Sequence, residues 1–172
     1  VEGKWIGKET DFPESLGMII ENPGFLPNLS GRDNLKILAS LRGTIGKKEI
    51  ETAMEKVGLD FSSKKPVKNY SLGMRERLGI AQAIMEDPHI IILDEPFNFL
   101  DPSSQSVIKH LLKKYNEEHN ATVIISSHNL NHTVDVCPRI AVLEHGVIIR
   151  DLVNENNSAE KELEDYFNVE EE

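Results

Sequence analysis

Ile90-Ile91-Ile92-Leu93-Asp94-Glu95-Pro96 is the stretch on which the reading of this chain turns. Four consecutive apolar residues without polar alternation predict a strand covered on both faces, as in a parallel sheet flanked by helices. Two carboxylates follow at its C-terminal end, where open α/β sheets bind their ligands. Pro96 then stops the strand. Adjacent side chains of an extended chain point in opposite directions, so the two acids can take separate tasks. Asp94 suits a divalent cation held through its water shell. Glu95 suits the polarisation of an attacking water. Taken alone, the string also reads as a plain strand stop and turn.

Working outward, Leu16–Ile20 and Thr122–Ser126 are two more apolar runs of strand length, and they are expected beside Ile90–Leu93 in one mostly parallel sheet. Ile140–Leu143 and Val147–Ile149 flank Glu144-His145-Gly146 and predict a hairpin. Helical patterns fill the intervals. Ser30 with Asp33 forms a capping box ahead of Leu35, Leu38 and Leu41. Ile50, Met54 and Val57 mark a helix stopped by Gly58. Ser71 caps a helix running to about Met85, with Leu78, Ala81 and Ile84 on one face. Asp101-Pro102 opens another through Val107, Leu111 and Tyr115. The interval between the first two strands is too long for a simple crossover. The expected fold is therefore α/β, with an incomplete core in residues 1–27 and 89–152 and an inserted helical subdomain in residues 28–88.

Composition narrows the function. The 172 residues hold 19 Lys+Arg and 29 Asp+Glu, a net charge of −10. Residues 153–172 carry eight acids against Lys161 alone, so this tail is expected to be solvated and dispensable. Such a balance excludes a domain built to hold nucleic-acid phosphates, and no nucleic-acid partner is expected. The single cysteine, Cys137, excludes an internal disulfide framework. No apolar run reaches the roughly 20 residues of a membrane span, and no signal peptide is readable at the N-terminus.

Two further strings carry chemistry. In Tyr70-Ser71-Leu72-Gly73-Met74-Arg75-Glu76-Arg77, Ser71 and Gly73 stand at a helix start. A hydroxyl, free N–H groups and the positive dipole end suit an anion there, and glycine lets a phosphate approach the backbone. An ordinary Ser cap is the competing reading. His128, after Ser126-Ser127, follows a strand end and can face the same crevice as Asp94 and Glu95. His128 and His132 have a metal-pair spacing, but the sequence offers no third ligand.

Taken together, these strings resemble the ATP-binding subunit of an ABC transporter over nearly the whole chain. Tyr70–Met74 is similar to that family's signature, keeping Ser71 and Gly73 while Leu72 and Met74 depart from it. Leu93-Asp94-Glu95-Pro96 resembles the Walker B motif with its catalytic glutamate. Asn98-Phe99-Leu100-Asp101-Pro102 resembles the D-loop, and His128 falls on the switch histidine. Glu21-Asn22-Pro23-Gly24-Phe25 falls on the Q-loop, with Glu21 where glutamine is usual.

The resemblance implies a P-loop NTPase-like core with ATP and Mg²⁺ as cofactors. It implies Asp94 and Glu21 as metal-side carboxylates, and Glu95 and His128 as catalytic residues. Ser71 and Gly73 would reach a nucleotide on a second ATP-binding subunit, with Asp101 coupling the two sites. The implied partners are that second subunit and a transmembrane permease. The implied location is the cytoplasmic face of the membrane. Asp94, Glu21 and His128 are expected to converge at one edge of the sheet. The variants at 21–25 and 70–77 resemble bacterial exporters of the peptide-antibiotic resistance type. The family's phosphate loop, Gly-x-x-x-x-Gly-Lys-Ser/Thr, does not occur in these 172 residues. Gly3–Lys8 resembles the strand and turn that normally follow that loop's helix. The chain is therefore expected to be a fragment, inactive by itself. A soluble ABC-type ATPase without a membrane partner and a non-catalytic interaction module are the alternatives.

Overall fold

The computed structural model of the chain describes residues 1, 3–20 and 23–169. Two compact units divide it, Val1–Ser126 and Ser127–Glu172. The division falls inside the expected 89–152 segment, and the expected helical subdomain lies within the first unit.

The first unit is a three-stranded sheet with helices. Strands β1 (Leu16–Ile19), β2 (Ile90–Asp94) and β3 (Thr122–Ser126) lie in that order, all parallel. Leu16, Ile90 and Thr122 share one register line, and Ile19, Leu93 and Ile125 another. Side chains alternate, so Ile19, Ile91 and Leu93 enter the core while Met18 and Ile124 stay exposed. Burying residues such as Ile91 and Leu93 contributes roughly 2 kcal/mol each. The expectation that these strands are covered on both faces does not hold. Met18 is 37% exposed and Ile124 51%.

The buried face meets helix α3 (Leu72–Ile84). The approach is close enough that a methyl at Gly17 would lie 1.9 Å from the Ala83 carbonyl oxygen. Glycine in β1 is therefore a packing requirement. Among the described residues upstream of β1 there is no strand. Residues 3–8 hold turns and an isolated Ile6–Thr10 bridge, in place of the expected strand and turn.

The remaining helices start where the caps predict. Ser30 Oγ accepts from the Asp33 amide at 3.1 Å and donates to its carboxylate at 2.6 Å, opening α1 (Gly31–Arg42). Left-handed Gly43 closes it. Leu35 and Ala39 are buried, but Leu41 is 77% exposed, so the expected stripe ends one turn early. Helix α2 (Lys47–Lys56) buries Ile50 and Met54 as expected, with Val57 buried just beyond it. Helix α4 (Pro102–His119) buries Ile108, Leu112 and Tyr115, not the Val107 and Leu111 of the expected face. Tyr115 lies on the expected face and the observed one alike. Its hydroxyl donates to Asp87 at 2.8 Å, and His119 Nδ1 lies 2.7 Å from the same carboxylate, tying α4 to the corner before β2.

The second unit comprises α5 (Leu130–Val134), the hairpin β4 (Arg139–Glu144) and β5 (Val147–Val153), and α6 (Glu160–Val169). The antiparallel hairpin confirms the sequence reading. The tail corrects it. Ala159 and Leu163 are 3% and 1% exposed, in a core with Val134, Ile140 and Val142. Asn154 organises this packing. Its amide donates to the carbonyls of Val134 and Cys137, and its oxygen accepts from the Ala159 amide. Net charge marked the tail as solvated because it hides an apolar stripe that includes Ala159 and Leu163. Among the described residues no helix is long and apolar enough to cross a membrane.

Candidate functional site

Asp94 is the last residue of β2, paired in register with Ser126, the last of β3. The Ser126 hydroxyl donates to Asp94 Oδ1. One residue on, the Glu95 amide donates to the Ser126 carbonyl at 3.1 Å, so the parallel ladder extends one bond past the strand. Glu95 then turns the chain with φ of 50°. A non-glycine residue in this left-handed region carries strain, which functional sites commonly hold. Asp94 and Glu95 are both half-buried, at the C-terminal edge of the central strand.

The loop after Glu95 is pinned by its own side chains. Phe97 and Leu100 are buried, while Phe99 is 64% exposed and left-handed, with φ of 62°. Asp101 ends the loop as the N-cap of α4. One carboxylate oxygen accepts from the Ser104 amide at 3.0 Å and from Ser103 Oγ, and the other accepts from Ser104 Oγ at 2.7 Å. These donors hold its carboxyl well below the usual range, so it stays ionised.

Ser71 is exposed and caps α3, accepting from the Met74 amide at 3.2 Å. Gly73 is the second residue of the helix. A methyl there would lie 2.7 Å from the Phe99 carbonyl oxygen. Sequence reasoning gave Gly73 to phosphate approach; the structure adds a close contact with the loop that follows β2.

Of the three residues expected to converge, Asp94 ends β2 in the first unit. His128 is exposed in the second unit, two residues past β3. Glu21 lies outside the described residues. Among the described residues no cluster of three or more His, Cys, Asp or Glu forms a metal cage. A single strand-end carboxylate braced by a hydroxyl still suits Mg²⁺, which takes one or two carboxylates and completes its shell with water and phosphate.

Two polar residues were missed in the sequence. Glu76 is only 8% exposed, its Oε1 has no hydrogen-bond partner, and burial pushes its carboxyl up to about 7. Its place on one helical face with Gly73 and Gly79, three residues from each, was the available signal. Gln105, in the first turns of α4, donates to the carbonyls of Phe97 and Leu100.

Comparison with known proteins gives a consistent result. The family model described as ABC transporter matches residues 2–98. The bacitracin transport ATP-binding protein BcrA of Enterococcus faecalis is 46% identical over 137 residues, covering 80% of this chain and 44% of that protein. The lantibiotic transport ATP-binding protein SrtF of Streptococcus pyogenes is 38% identical over 153 residues, covering 89% of this chain and 65% of that one. The chain thus spans less than two thirds of either relative. A bacterial ABC transporter cassette solved as a dimer superposes with a TM-score of 0.74 at 26% identity, covering 82% of this chain and 63% of that one.

Proposed function

This chain belongs to the ABC transporter family, and from that premise we propose that it serves in the ATP-binding and ATP-hydrolysing subunit of a bacterial exporter. The observation that carries this reading is the pair Asp94–Glu95 at the C-terminal end of the central parallel strand, with Ser126 bracing Asp94. Asp94 would hold Mg²⁺, which when bound would supply positive charge against the phosphates. Glu95 accepts a proton from the attacking water. His128 contacts the terminal phosphate, and Glu21 senses the metal. Ser71 and Gly73 present hydroxyl and backbone donors at the start of α3 to a nucleotide on a second subunit, with Asp101 helping to couple the two sites. Dimerisation of the solved cassette supports that arrangement.

The relatives' names, for bacitracin and lantibiotic transport, support an exporter of peptide antibiotics. Its partners are a second ATP-binding subunit and a transmembrane permease, which hold it at the cytoplasmic face of the membrane. The 172 residues alone do not turn over ATP. Unless Mg²⁺ bridges, Asp94 and Glu95 present only negative charge to the nucleotide, and the 172 residues contain no phosphate loop to offset it.

The test is ATP hydrolysis by the intact protein and its Glu95→Gln variant. Turnover should fall roughly 10²–10⁴-fold, the range for a positioned general base, with ATP binding retained. Near-normal hydrolysis by Glu95→Gln would remove Glu95 from this role.

A further inference from the structure

The segment from Glu95 to Asp101 joins β2 to α4 and contains two left-handed non-glycine residues, Glu95 and Phe99. Such backbone persists only where surrounding contacts hold it. Two contacts act from two different helices. From α4, Gln105 Nε2 donates to the Phe97 carbonyl at 3.3 Å and to the Leu100 carbonyl at 3.2 Å. These carbonyls bracket Phe99. From α3, Gly73 lies so close to the Phe99 carbonyl that no side chain fits between them. The loop is thus held between the helix that begins after Asp101 and the helix that begins after Ser71.

Residue 105 needs both reach and hydrogen-bond donors. A side-chain amide carries two N–H groups on one nitrogen, one for each carbonyl. Methionine has similar length and no donor. Arginine has the length and several donors.

Resting on the ATPase reading above, we propose that Gln105 is a positioning residue for hydrolysis. By holding the Phe97 and Leu100 carbonyls, it keeps Glu95 set beyond β2 and the Phe99 carbonyl seated on Gly73, so that the Glu95 loop and the signature helix move as one body. Gln105 acts through the loop.

Gln105→Met and Gln105→Arg in the intact protein test this by two readouts. The first is amide hydrogen exchange of a peptide spanning residues 95–101, without nucleotide. Exchange should rise about tenfold in Gln105→Met and return toward wild type in Gln105→Arg. The second is steady-state ATP hydrolysis. The Met variant should lose about tenfold in kcat with KM for ATP within about twofold, and Arg should restore the rate. Should Gln105→Met not fold, Gln105→Asn, one methylene short, carries the same expectations in smaller measure. Unchanged exchange, equal effects on kcat and KM, or a kcat loss that Arg does not restore would overturn the proposal. The two failures separate. An inactive wild-type protein overturns the functional reading. An active one whose loop exchange and kcat ignore residue 105 overturns this proposal alone.

Discussion

The hydroxyl of Ser126 donates to the carboxylate of Asp94 across two neighbouring parallel strands that end at the same level. A metal-side carboxylate fixed by a second residue presents one orientation to its ion, and loss of such a support typically costs about 10–100-fold in metal affinity. Ser126→Ala should therefore raise the Mg²⁺ concentration for half-maximal ATP hydrolysis by about that factor at saturating ATP. The check is activity of the intact protein against Mg²⁺. An unchanged midpoint would mean that Asp94 holds its place unaided.

Glu76 gives a pH-dependent prediction. Burial raises its folded pKa to about 7 from an ordinary 4.5. The folded state therefore binds the proton more tightly than the unfolded state, and a stability penalty grows as pH rises from 4.5 to 7. Glu76→Gln keeps the shape and removes the charge. It should gain about 3 kcal/mol at pH 8, from 1.36 kcal/mol per pKa unit, and at least half that gain should vanish by pH 5.5. Urea unfolding at both pH values decides it.

Gly17→Ala should be severely destabilising, about 3 kcal/mol or more, because backbone stands where the methyl must go. Chemical denaturation measures this directly. A mild effect would require α3 to withdraw from β1.

The acidic tail should not be dispensable. Leu163→Ala opens a hole in the core of the second unit and should cost about 2–5 kcal/mol. Phe167→Ala, at a 45% exposed residue, should cost far less. Limited proteolysis of α6 in the two variants separates them.

The architecture was legible because its signals are local. Apolar runs gave all five strands of the described residues, and Ser30, Ser71 and Asp101 marked three helix starts through their caps. Ile90–Pro96 placed two carboxylates at a strand end, where the structure has them. What escaped depends on partners distant in sequence. Val107 and Ile108 are both apolar and either stripe leads to Tyr115, so the choice of Ile108 rests on tertiary packing that spacing along the helix does not carry. The Gly73–Phe99 contact joins residues 26 positions apart, and a glycine's close neighbour leaves no mark in its own vicinity. Leu163 was obscured by the charges around it.

The uncovered face of the three-stranded sheet has a colloidal consequence. Met18, Ile20 and Ile124 lie on or beside it, and Trp5 and Phe12 are each 70% exposed. Exposed apolar surface of this kind promotes self-association. What opposes it is mutual repulsion between chains of net charge −10. That repulsion fades as the solution nears the isoelectric point of about 5.1 and is screened by salt. Purified as these 172 residues, the polypeptide should disperse best at low ionic strength and mildly alkaline pH, with a turbidity maximum near pH 5.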